Sequence, residues 1–65
     1  MNYGVEFTFK DGTKDWYDSI DRGKVREEMD NDDIGDATIY VAPYEYGIDK
    51  SKVESWKFYV VGEDK

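Results

Sequence analysis

Tyr3-Gly4-Val5-Glu6-Phe7-Thr8-Phe9-Lys10-Asp11-Gly12-Thr13-Lys14-Asp15-Trp16-Tyr17-Asp18 decides the fold class. Tyr3, Val5, Phe7 and Phe9 alternate with Gly4, Glu6, Thr8 and Lys10. Side chains of a strand point alternately to its two faces, so this spacing sets four apolar groups on one side. Asp11-Gly12 then interrupts the pattern. A tight turn needs a positive φ, which glycine adopts at little cost, so the dipeptide marks a hairpin. The second strand runs from Thr13 to Asp18, with Trp16 on one face and Asp15 and Tyr17 on the other.

Downstream of this hairpin the pattern changes. From Ser19 to Asp36 the large apolar residues are Ile20, Val25, Met29 and Ile34. Val25 and Met29 stand four apart among good helix formers, while Gly23 opposes an early start. Residues 22–29 therefore read as a short helix or as an irregular acidic loop. Asn31, Asp32, Asp33 and Gly35 read as a turn. Ala37–Val41 forms the third strand, and Pro43 breaks it or confines it to an edge. Tyr44, Tyr46 and Ile48 resume the alternation. In the polar turn that follows, the Asp49 carboxylate is placed to accept backbone N–H groups. Val53–Val61 closes the sheet, with Trp56, Phe58 and Val60 on one face and Lys57, Tyr59 and Val61 on the other. Residues 62–65 are expected to fray.

The expected architecture is a single β-rich α+β domain spanning 1–65. It has a small antiparallel sheet of four to five strands, with one short helix or acidic loop between the second and third. Its apolar face is covered either by that helix or by curling into a barrel-like form. The expected core is Val5, Phe7, Phe9, Trp16, Ile39, Val41, Ile48, Val53, Trp56, Phe58 and Val60.

Composition excludes much chemistry. The 65 residues contain no His and no Cys. Disulfides, thiolate or imidazole metal ligands, thiol nucleophiles and histidine-based triads are therefore absent. Carboxylate pairs are available anywhere in an acidic chain and single out no catalytic site, and no glycine-rich phosphate loop occurs. The reading is of a non-enzyme without cofactor or metal. No apolar run approaches the length of a membrane span or signal core. The expectation is a soluble cytoplasmic protein that binds neither membranes nor nucleic acid directly, since both favour basic surfaces.

The net charge of −7 is concentrated. Residues 11–36 hold ten acids and four bases, and the remainder of the chain is nearly neutral. Within that stretch, residues 27–36 carry six acids and no base: Glu27, Glu28, Asp30, Asp32, Asp33 and Asp36. Counted from Asp30, a calcium-loop pattern fails, because Ile34 occupies a ligand position and Val41 stands where a glutamate is required. The remaining readings are a solvated loop that keeps the domain soluble, or an acidic surface complementary to a basic partner. Clustered carboxylates imitate the charge of nucleic-acid phosphates and steer association. Tyr44 and Tyr46, flanking the Pro43 break, are candidate anchors, because tyrosine offers contact area and a hydroxyl at low entropic cost.

The string Phe7–Asp18 and the later run Ile48–Tyr59 resemble small uncharacterised proteins of bacteriophages and prophages of Gram-positive bacteria. The resemblance covers less than half of the chain and implies a small phage protein, without an activity. Together with the acidic segment it points to a non-enzymatic inhibitor or modulator that mimics nucleic acid to block a basic or nucleic-acid-binding host protein. The candidate binding residues are Glu27, Glu28, Asp30, Asp32, Asp33, Asp36, Tyr44 and Tyr46. The alternative is a structural module that oligomerises or docks through a strand edge.

Overall fold

The computed structural model describes residues 2–61; the terminal 62–65 segment lies outside them. Five strands and one helix follow the order β1 (Asn2–Phe9), β2 (Lys14–Ile20), α1 (Arg22–Asp30), β3 (Asp36–Val41), β4 (Tyr44–Asp49) and β5 (Val53–Val61). The strands form two antiparallel sheets, one ordered β2-β1-β5 and one a β3–β4 hairpin. The single curled or barrel-like sheet expected from the sequence is not formed. Helix α1 and the β3–β4 hairpin instead lie against the inner face of the three-stranded sheet. They bury its apolar row without any strand closing on another.

The Asp11-Gly12 turn forms where the sequence places it. Gly12 takes φ +94°, and its N–H donates to the Phe9 carbonyl at 2.9 Å. Asp11 Oδ1 accepts from the backbone and hydroxyl of Thr13 at 2.9 and 2.7 Å, which holds the Asp11 carboxyl below its ordinary range. The central strand β1 sits between both neighbours: Val5 opposes Tyr17 and Phe58, and Phe7 opposes Asp15 and Trp56. Opposed residues share a face. Tyr17, Trp56, Phe58 and Val60 therefore join Tyr3, Val5 and Phe7 on the inner side.

This corrects two expectations for β2. Trp16 opposes Glu6 on the outer face and is 59% exposed, while Tyr17 points inward and is half-buried. The phase then shifts again. Tyr3 opposes Ile20 although Val5 opposes Tyr17, so β2 carries one extra residue, at a bulge where Ser19 has φ 61°. The bulge turns Ile20 inward only three positions after Tyr17. Val60, also expected in the core, is half exposed at the strand end.

The buried residues are Val5, Phe7, Ile20, Val25, Ala37, Ile39 and Ile48. Phe9, Val41, Val53, Trp56 and Phe58 pack around them, only partly buried. Helix α1 begins at Asp21, whose carboxylate accepts the Lys24 N–H at 3.2 Å as an N-cap. Val25 is its buried anchor, and Met29, four residues on, packs beside it. Arg22 and Arg26 extend toward the sheet, over the rings of Tyr3 at 4.0 Å and Phe58 at 5.5 Å. Pro43 breaks the third run as expected: β3 ends at Val41, and Pro43 lies in the tight connection to β4.

Candidate interaction surface

The acidic segment starts in the last turn of α1 and ends in β3. Its backbone is anchored by a residue far away in sequence. The Lys50 ammonium donates to the carbonyls of Glu28 and Asn31, both at 2.7 Å. Both carbonyls lie at the C-terminal end of α1, where they also accept the Asn31 and Ile34 N–H groups at 3.4 and 3.1 Å, and a cation there opposes the negative end of the helix dipole. Lys50 is held in turn by its own turn of 3-10 helix. Asp49 caps it, accepting the Ser51 N–H at 3.0 Å and the Ser51 hydroxyl at 2.7 Å, as the sequence suggests. Those bonds hold the Asp49 carboxyl below its ordinary range. The Lys50 N–H also donates to the Gly35 carbonyl at 3.1 Å. Within the segment, Asn31 Oδ1 accepts the Asp33 N–H at 2.9 Å.

The six candidate acids divide into two kinds. Glu28 is structural: one carboxylate oxygen accepts the Thr38 N–H at 2.7 Å, and the other lies 3.7 Å from Lys24. It joins α1 to β3 and is partly buried. Glu27, Asp30, Asp32, Asp33 and Asp36 are exposed, and none forms a salt bridge among the described residues. Asp36 stands directly opposite Asp49 at the base of the β3–β4 hairpin.

Tyr44 and Tyr46 do not join this surface. Tyr44 opposes Val41 at the far end of the hairpin from Asp36, five residues along the strand and roughly 17 Å away. Tyr46 opposes Ile39 and so faces inward, whereas Asp36 lies on the other face. The two tyrosines form a separate aromatic group with Tyr17. The Tyr17–Tyr46 and Tyr44–Tyr46 ring centroids are 5.1 and 6.4 Å apart. Burial, with Asp15 beside it, raises the Tyr17 phenol above its ordinary range.

The outer face of the three-stranded sheet carries a second polar group. Glu6 lies between Lys14 at 3.6 Å and Lys57 at 3.4 Å. Tyr59 folds across Gly4 and donates to Asp18 at 2.5 Å, linking β5 to β2 over the central strand. A Cβ at Gly4 would lie 2.7 Å from the Tyr59 Oη, so only glycine admits the ring. Desolvation and the Asp18 bond push the Tyr59 phenol up to about 12. A depression of 480 Å³ between the first turn and the Ser51–Lys52 turn is lined by Phe9, Lys10, Asp11 and Thr13. The Asp11 carboxylate in its wall is occupied by the Thr13 N–H and hydroxyl. Among the described residues, no group of three or more acidic side chains is placed to hold a metal ion, and no helix is long and apolar enough to cross a membrane.

No protein-family profile, no curated protein and no solved structure matches the chain.

Lys50 is the residue that sequence reasoning missed. Its partners stand 22 and 19 positions away, so no local spacing signals the contact.

Proposed function

We propose that the chain is a non-enzymatic protein-binding module that inhibits or modulates a basic partner through the turn that follows α1. The observation that supports this reading is the run of exposed carboxylates Glu27, Asp30, Asp32 and Asp33, none in a salt bridge among the described residues, on a backbone anchored by Lys50. An anchored cluster of like charge attracts an oppositely charged surface without the cost of ordering a loose loop. A nucleic-acid-binding groove, which is built to receive phosphates, has the required chemistry. The resemblance to phage proteins implies a host protein as target.

The test is a pull-down from bacterial lysate with and without competing duplex DNA. The expected partner is a basic nucleic-acid-binding protein that DNA displaces and added salt weakens. The variant E27Q/D30N/D32N/D33N leaves Glu28 and its bond to Thr38 intact, and it should slow association about tenfold or more. Undiminished binding by that variant would refute the reading.

A further inference from the structure

The outer edges of β2 and β5 and the edges of the β3–β4 hairpin have no strand neighbour among the described residues. Open edges invite pairing, and proteins blunt them with charge, proline, bulges or short length. Strand β2 carries Lys14, Asp15 and Asp18 and the bulge at Ser19. The hairpin strands are six residues each, joined through Pro43. Strand β5 is nine residues long, and its one irregularity lies at its start, opposite Thr8 and Phe9. From Ser55 to Val61 its only charge is Lys57. Its inner row of Trp56, Phe58 and Val60 is incompletely covered, with Val60 52% exposed.

We infer that β5 pairs antiparallel with β5 of a second copy, joining two three-stranded sheets into one of six strands across a two-fold axis. The side chains select the register. Opposed residues in an antiparallel pair share a face, so the axis passes through a residue position. An axis at Lys57 sets that lysine against its own copy. One at Trp56 sets Phe58 against Glu54. One at Tyr59 carries Trp56 past Val61, the end of the strand, and leaves it without an apolar partner. An axis at Phe58 places Phe58 on its copy, Trp56 against Val60, and Lys57 against the neutral Tyr59. In that register each residue of the inner row meets an apolar partner and no like charges oppose within the two strands. The excess negative charge lies in the 27–36 turn and not along this edge.

Sedimentation equilibrium of the full chain, from low micromolar to submillimolar concentration, is expected to show a reversible dimer. Val60→Glu places a carboxylate against Trp56 of the second copy at two symmetric positions. It should weaken the dimer about tenfold or more, with the monomer's circular dichroism unchanged. The chain has no native cysteine, so disulfides report the register. Phe58→Cys should cross-link to its copy under mild oxidation. Val60→Cys, about 14 Å from its own copy in this register, should not. A mixture of Lys57→Cys and Tyr59→Cys chains, which oppose each other, gives the same readout should Phe58→Cys cost the fold. Neutralising residues 27, 30, 32 and 33 leaves dimerisation intact. A chain that stays monomeric overturns the inference and leaves the edge to an extended segment of another protein. A dimer indifferent to Val60→Glu, or equal cross-linking of the Phe58→Cys and Val60→Cys chains, overturns it as well.

Discussion

Replacing Lys50 by methionine removes the two hydrogen bonds that anchor the acidic segment while keeping a side chain of similar length. The Glu28 carbonyl lies in a partly buried contact, and the Asn31 carbonyl is exposed. A hydrogen bond from a charged donor contributes about 1.5–3 kcal/mol where water cannot replace it and much less where it can. Lysine and methionine lose similar rotamer freedom on ordering, so that cost nearly cancels in the comparison. The expected loss is about 2 kcal/mol, almost all of it from the Glu28 bond. In a domain of this size, that lowers Tm by about 8–16 °C. Urea unfolding at low and high salt is the assay, with an unchanged m-value showing that the same surface is exposed. A loss below about 0.5 kcal/mol would refute the anchoring role. So would a loss that vanishes at high salt, because a general attraction between Lys50 and the surrounding acids is screened and a partly buried bond to a carbonyl is not.

Two further outcomes test the assignment of faces and the outer polar group. Trp16→Thr should change stability by no more than about 0.5 kcal/mol, whereas Phe7→Ala should cost about 3–5 kcal/mol and leave so small a domain largely unfolded, both read by urea titration. The Tyr59 phenol, raised from an ordinary 10.0 to about 12, should ionise well above the ordinary range in an absorbance titration of tyrosinate. Its folded value is the higher one, so its contribution to stability is complete below about pH 10 and is lost as pH rises toward 12. Tyr59→Phe removes that share of the alkaline loss, and a Tyr59 that ionises near the ordinary 10.0 contradicts the Asp18 bond.

The strands were legible because their alternation is local. The hairpin at Asp11-Gly12, the Asp49 turn and the composition of each face of β5 all follow from residues within a few positions of one another. Helix α1 was legible only as one of two alternatives: Val25 and Met29 pointed to it, Gly23 left a loop open, and the cap at Asp21 starts it. The errors arise where two local patterns are equally good. Trp16 and Tyr17 are adjacent aromatic residues, and period two cannot say which of them faces inward. The answer comes from pairing with Val5, and the bulge at Ser19 then reverses the phase for Ile20. Ala37 and Ile20 were missed because their burial depends on α1 and the hairpin closing over them. Whether five strands make one sheet or two depends on contacts between β2 and β3 that leave no trace in either strand's own pattern. The acidic segment was visible as charge, but the distinction between Glu28 and its neighbours was not. The role of the Glu28 carboxylate depends on Thr38, ten residues away, and the anchoring of the turn on Lys50, 22 residues from Glu28.

That anchoring gives the proposed function a test of sign as well as of size. Lys50→Met removes a positive charge beside the acidic turn and makes the surface more negative. On charge alone, a basic partner should then bind more tightly and associate faster. The anchoring argument gives the opposite result. Without Lys50, the carbonyls of Glu28 and Asn31 lose their common partner, the end of α1 frays, and the turn must be ordered again when the partner binds. The loss of preorganisation appears mainly in the dissociation rate, and the change in charge mainly in the association rate. A Lys50→Met chain that associates at least as fast as the wild type but dissociates faster would show that the carboxylates act from a fixed scaffold. Faster association with unchanged dissociation would show that the turn acts through charge alone and that the contact from Lys50 serves only the fold.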